Sequence, residues 1–259
     1  MSVNTPQQIA VLVIHTGVRK SRMPLPSVLI LGFLAGAFIA LGFLLDIRIT
    51  ALIPAEWESL ATLLGAMVFP LGLILVVLAG GELLTGNMMY LSMALFSRQI
   101  GAAALLRNWF WVTLANFVGA FFVALAFGHF LGVIEGPILD KTLAIAHAKA
   151  NAGFMHAFVS AIGCNWLVCL GIWLGLSSQQ VAGKILAMWF PVMAFVAIGF
   201  QHVVANMFVL PMAILNGEMG WATYFANFVP VFLGNMIGGS VFVGLAYYLS
   251  LQPNIEPAQ

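Results

Sequence analysis

Charge is what this sequence has least of. Asp, Glu, Lys and Arg make up 7% of the 259 residues, against about 25% in a water-soluble domain. That scarcity excludes a soluble globule and, with it, a soluble enzyme. Nine Lys and Arg against eight Asp and Glu leave a formal charge of +1, so there is no basic surface for nucleic acid and no acidic docking tail. Cysteine is nearly missing too: Cys164 and Cys169 stand five residues apart in one apolar run, a spacing that turns them away from each other on a helix and precludes a bridge. His15, His129, His147 and His156 form no metal-ligand pattern, so neither a metal nor another cofactor is expected.

Apolar residues fill the chain instead, at 63%. A helix crossing lipid needs roughly 20 of them in succession, because its backbone satisfies its own hydrogen bonds where water is excluded. Six stretches qualify: residues 28–45, 60–96, 103–131, 154–176, 185–215 and 223–251. The expected fold is an all-α membrane protein with six transmembrane helices in residues 28–251, preceded by an interfacial segment over 1–27 and followed by a tail over 252–259. Residues 9–14 are a short apolar run followed, not preceded, by Arg19, Lys20 and Arg22. That order is wrong for a cleaved signal peptide and reads as an interfacial helix. Trp57, Trp109, Trp111, Trp189 and Trp221 fall near span ends and read as interface anchors.

Positive loops stay on the cytoplasmic side of a membrane. Arg19, Lys20, Arg22, Arg98, Arg107 and Lys184 share the side of the N-terminus, while alternate loops hold only Arg48, Lys141 and Lys149. Both termini are therefore predicted to be cytoplasmic, in the cell's inner membrane. Glu82 alone among the acidic residues is left at membrane depth.

Sliding the chain by 119 residues lays positions 80–119 on 199–238 without a gap, and 13 of the 40 pairs are identical. They include Gly80/Gly199, Asn87/Asn206, Asn108/Asn227, Asn116/Asn235 and Gly119/Gly238. The chain reads as a duplication with halves at about 28–131 and 154–251. Three spans in each half, an odd number, would invert the second copy, as in channels and secondary transporters. Asn116 and Asn235, each followed by a glycine three residues on, read as close helix packing with an interhelical hydrogen bond.

The second and fifth stretches are too long for one plain span. Each carries a proline, Pro70 or Pro191, and then an interruption, Gly-Gly-Glu-Leu-Leu-Thr-Gly-Asn from Gly80 and Gly-Phe-Gln-His-Val-Val-Ala-Asn from Gly199. Matching interruptions read as broken helices whose freed backbone lines a cavity. Packing kinks are the plainer alternative, but Glu82 and His202 are poor choices for a mere kink.

Three of these segments, Gly-Glu-Leu-Leu-Thr-Gly-Asn at 81–87, Cys-Asn-Trp-Leu-Val-Cys-Leu at 164–170 and Gly-Phe-Gln-His-Val-Val-Ala-Asn-Met-Phe at 199–208, resemble the signatures of the formate/nitrite transporter family. The resemblance implies an aquaporin-like protomer in a homopentamer, with one pore per subunit for small monovalent anions or their conjugate acids. It makes His202 the central pore histidine and Thr85 the threonine of the interrupted second segment. Asn165 and Asn206 become pore-network asparagines, and Lys149 the outer-vestibule lysine. Phe69 and Phe195 resemble the outer constriction, Leu73 and Leu83 the inner one. Phe69 and Leu73 are four apart and Phe195 and His202 seven apart, so each pair can share a helix face.

One position departs from the family's pattern, which commonly has Glu before the histidine. Here it is Gln201, which keeps a hydrogen-bonding side chain but removes the anionic neighbour that would hold His202 protonated. The mechanism this implies is attraction of the anion by Lys149 and helix N-termini, protonation at or near His202 or from water polarised by it, and passage of the neutral acid through apolar constrictions. Glu82 reads equally as a helix cap or a substrate contact. A membrane enzyme using His202 with Cys164 or Cys169 is disfavoured by the apolar setting of the cysteines, and a neutral-solute pore of the aquaporin type by the absence of paired Asn-Pro-Ala motifs.

Overall fold

The computed structural model describes residues 3–253, and apart from an isolated bridge between Val3 and Ser178 the regular structure there is helical. Of the expected tail, only Gln252 and Pro253 fall among the described residues. Helix α1 (Pro6–Ser21) starts on a capping box in which the Thr5 hydroxyl accepts from Gln8 N and the Gln8 side chain accepts from Thr5 N, so two otherwise orphaned amides are satisfied. The apolar run at residues 9–14 is the inner face of this helix, which buries Ile9, Ala10, Val13 and Ile14 and packs on α5 (Leu84–Phe96).

The first span is α2 (Leu25–Thr50). The second is divided. Helix α3 (Glu58–Val68) meets Pro70, which has no amide to donate, and α4 (Leu71–Leu75) continues into a π-helical turn ending at Gly80. Gly81 and Leu83 are extended, and the chain resumes as α5. Helix α6 (Ala102–Phe122) continues in π-helical turns to Phe130. Helix α7 (Pro137–Ala150) caps that connection and is an element absent from the sequence-based expectation. Then follow α8 (Phe154–Ser177), α9 (Val181–Ile198), α10 (Val203–Leu215), α11 (Trp221–Ile237) with its π-helical extension to Leu245, and α12 (Ala246–Leu251). Pro191 lies inside α9 without ending it; that helix stops at Gly199. Gly80 and Gly199 both adopt a left-handed conformation, with φ of +97° and +83°, which a residue without a β-carbon tolerates. Among the described residues six helical segments are long and apolar enough to cross a membrane.

Helix α2 packs on α6, and α8 on α11. The contact is close because a β-carbon at Gly119 would overlap the Phe33 carbonyl, and one at Gly238 the Ile162 carbonyl. The asparagines three residues before these glycines do more than join two helices. Asn116 Oδ1 accepts from Leu84 N at 2.9 Å while its Nδ2 donates to Gly32 O and Glu82 O. Asn235 Oδ1 accepts from Val203 N at 2.8 Å while its Nδ2 donates to Ala161 O and Gln201 O. Each therefore satisfies the backbone of one interruption, where the helical ladder supplies no partners. Trp109 is no interface anchor: it is buried, and its Nε1 donates to Asn87 O.

Candidate functional site

His202 is the N-cap of α10, an extended residue between two helices. Its Nδ1 accepts from Ala205 N at 3.1 Å. A ring nitrogen that accepts a hydrogen bond carries no proton, so the neutral imidazole has its hydrogen on Nε2. That Nε2 lies 2.9 Å from Thr85 Oγ1, at the start of α5 in the other half. A second proton on the ring would set an N–H against the Ala205 N–H. The interruption thus places a neutral histidine against a threonine hydroxyl, both buried.

A cavity of about 490 Å³ opens above this pair. Its walls include Phe69, Phe195, Phe43, Lys149, Gln201 and His202. Phe69 and Phe195 meet edge to face with ring centroids 5.6 Å apart, and Phe43 adds a third ring 5.5 Å from Phe69, a geometry that aromatic quadrupoles favour. Phe195 and His202 lie 5.8 Å apart, but they do not share a helix face, as their seven-residue spacing implied. Helix α9 has ended, and the turn at Gly199 folds His202 back.

Lys149 occupies the last turn of α7. Its carbonyl accepts from Asn227 Nδ2 at 2.9 Å, and no carboxylate lies within ion-pair distance of its ammonium among the described residues. Burial pulls its pKa down to about 8, while Cys164 and Asp46 work the other way. The ammonium is therefore charged at neutral pH and neutral above about 8. Asp46, His156 and Ser160 line the same cavity, and nothing in the sequence patterns singled them out.

A second cavity, of about 280 Å³, lies at the other end of α2. Leu31 lines it, whereas Phe43, Asp46 and Thr50 line the first; fifteen residues of helix separate Leu31 from Asp46, roughly 22 Å. Leu83, Glu82, Asn87, Tyr90 and Lys20 line this cavity. Glu82 neither caps a helix nor binds a backbone amide with its carboxylate. Its Oε1 pairs with Lys20 Nζ and its Oε2 accepts from Asn87 Nδ2 at 2.8 Å. Burial draws the Lys20 pKa down and Glu82 opposes it. Lys20 also sits over the Tyr90 ring, 5.4 Å from its centroid.

Lys20 escaped the sequence reading, and only its bonds in the structure reveal its place. Lys20 O accepts from Asn108 Nδ2 and Lys149 O accepts from Asn227 Nδ2, while Glu82 N donates to Leu31 O and Gln201 N donates to Ser160 Oγ. These first-half partners pair with second-half ones at an offset of 129 residues, not the 119 of the later helices.

The remaining candidates lie away from the cavity walls. Asn206 Nδ2 donates to Gln201 Oε1 and Asn227 Oδ1. Asn165 Nδ2 donates to Asn235 O at 2.7 Å and Thr85 O at 3.2 Å, which ties the start of α5 to α11 through α8. Leu73 is buried and lines neither cavity. Among the described residues no three His, Cys, Asp or Glu side chains cluster as metal ligands.

A family model described as formate/nitrite transporter matches residues 7–249. The chain is 56% identical over 252 residues to the formate channel BtFdhC of Bacillus thuringiensis, covering 97% of each chain. A solved structure named as an FNT family ion channel superposes with a TM-score of 0.87 at 28% identity, over 93% of this chain and 98% of that one. Another, named as a pentameric formate channel with formate bound, gives 0.74 at 31% identity over 88% and 98%.

Proposed function

Because the chain belongs to the formate/nitrite transporter family, and is thus a multi-pass membrane transporter and not an enzyme, we propose that it passes small monovalent carboxylates, formate foremost, as their conjugate acids. The observation that carries this reading is the neutral His202–Thr85 pair beneath a ring of phenylalanines. A bare anion at membrane depth costs about 3 kcal/mol or more, and an apolar constriction adds to that cost. A neutral acid avoids most of it.

The anion enters the wide cavity towards the Lys149 ammonium. As it leaves water for the apolar neck its charge becomes harder to sustain, so it takes a proton. The proton comes from water in the cavity, and the hydroxide left behind returns to the bulk solution on the entry side. The His202 ring is held with Nδ1 accepting and its one N–H, on Nε2, donating to Thr85, so it leaves the Thr85 hydroxyl hydrogen to meet the substrate oxygen and is not itself the acid. The acid then passes Phe69 and Phe195, and Leu83 beyond, and ionises in the Lys20 cavity.

We read the two halves as inverted copies, supported by the equivalent bonds of Asn116 and Asn235, and the assembly as a homopentamer, supported by the formate channel it resembles. The Lys149 face is read as the outer one, with both termini cytoplasmic, from the distribution of Lys and Arg.

Uptake of labelled formate by proteoliposomes, with internal pH recorded, tests the function. His202→Ala is expected to lower the rate about tenfold, through loss of the Thr85 and Ala205 hydrogen bonds, while the pH profile keeps its shape. A profile that lost its pH dependence would make the ring the proton donor instead. Phe69→Ala with Phe195→Ala is expected to raise lactate uptake relative to formate several-fold, since the two rings narrow the neck; an unchanged ratio removes them from the selectivity.

A further inference from the structure

The two lysine cavities are built from equivalent bonds, yet they differ at one chemical position. On one side Glu82 accepts from Asn87 Nδ2 at 2.8 Å and pairs with Lys20. On the other, Gln201 accepts from Asn206 Nδ2 at 2.8 Å in the same way, but an amide cannot neutralise Lys149. Whichever of Lys20 and Glu82 keeps the proton, their charges sum to zero. Lys149 has no such partner among the described residues.

The charges nearer the mouths do not remove the difference. Arg19 lines the Lys20 cavity and is exposed, so solvent screens it. Lys141 and Asp46 line the Lys149 cavity and offset each other, and His156 is the remaining titratable group on that wall above His202. Both cavities thus carry a similar total, distributed differently: the deep cation beside the interruption is uncompensated only at Lys149.

We propose that the residue preceding the central leucine or histidine, Glu82 in one half and Gln201 in the other, sets how tightly each mouth holds a small anion, making the Lys149 mouth the high-affinity one and the Lys20 mouth the low-affinity one. This rests on the transport reading above. A passive pore cannot turn that difference into net flux at equilibrium. With equal pH on both sides and no membrane potential, the ratio of maximal flux to half-saturation is the same in both directions. The asymmetry therefore lies in the two parameters separately. The Lys149 mouth saturates at low concentration with a modest maximal flux, and the Lys20 mouth saturates late with a larger one. At low concentration the two faces therefore pass formate equally, and they part only at concentrations where the Lys149 mouth saturates and the Lys20 mouth does not.

The test uses the full-length protein in proteoliposomes of predominantly one orientation, scored by protease cleavage of a terminal tag, with zero-trans fluxes of labelled formate measured from each face. The expected half-saturation is about fivefold lower at the Lys149 face, as an uncompensated partly buried charge implies. Glu82→Gln should bring the Lys20 face down to match, because Gln201 already shows that an amide keeps the bond to the neighbouring asparagine. Gln201→Glu should raise the Lys149 face. Equal half-saturation at both faces of the wild-type protein overturns the proposal. So does an asymmetry that survives Gln201→Glu, a variant that keeps the test decisive if Glu82→Gln does not assemble. Absence of any saturable formate flux in the wild type would instead defeat the transport reading itself.

Discussion

Lys149→Met is expected to raise the half-saturation concentration for formate at the Lys149 face about tenfold at pH 7, and Lys149→Arg to leave it nearly unchanged. Among the described residues no carboxylate lies within ion-pair reach of the ammonium, which faces the wide cavity, so an arriving anion feels most of its field. At an effective dielectric near 20 and a separation of about 10 Å, a unit charge attracts by roughly 1.7 kcal/mol. The pH dependence follows from the position of its pKa at about 8, lowered by burial. Protonation charges a lysine, so the attraction is present below about 8 and fades as pH rises through it. Wild-type half-saturation should therefore climb between pH 7 and pH 9, whereas the arginine variant, whose guanidinium stays charged, should remain flat. Formate is fully ionised throughout that window, so the change belongs to the protein. A wild-type curve that parallels the arginine variant would mean that Lys149 does not govern capture.

Asn235→Leu is expected to abolish the folded assembly. The side chain makes three hydrogen bonds, from Val203 N and to Ala161 O and Gln201 O, in a fully buried setting. Leucine leaves the amide and carbonyls of the interruption without partners in an apolar interior, at about 1–3 kcal/mol each, a sum of the order of total protein stability. Asn116→Leu should be equally damaging, because it breaks the matching bonds to Leu84 N, Gly32 O and Glu82 O. Asn216→Ala, which loses a single part-buried bond to Met212 O at a helix end, should be tolerated. Yield of assembled protein on size exclusion, with thermal unfolding of what remains, separates these cases. Assembly of Asn235→Leu with wild-type stability would show that the interruption does not depend on this brace.

Much of this architecture is legible in the sequence, for a physical reason. A span must be apolar and the broken backbone inside it must be satisfied, so Gly80, Gly199 and the paired asparagines stand out against a monotonous background. Phe69 meets Phe195 edge to face, and Thr85 Oγ1 lies 2.9 Å from His202 Nε2. Other features were hidden by distance and by register. Lys20 reaches Glu82 across 62 positions, from a helix whose offset to its counterpart is 129 residues and not 119, so no single ungapped comparison exposes the match. Helix α7 carries only part of an apolar face and no long run, so a search for spans passes over it. Phe43 and Asp46 lie in α2 among many similar positions, and only the packing of α3 and α7 around that end shows that they line the cavity. The tautomer of His202 is readable only from the atoms around the ring, because it depends on which nitrogen the Ala205 amide reaches.

The central claim is that the solute crosses the phenylalanine neck uncharged. Simultaneous recording of formate uptake and internal pH in proteoliposomes clamped at several potassium-diffusion potentials addresses it directly. One proton entering with each formate, at a rate indifferent to the imposed voltage, is the expected result; a voltage-dependent formate current without accompanying acidification would contradict it.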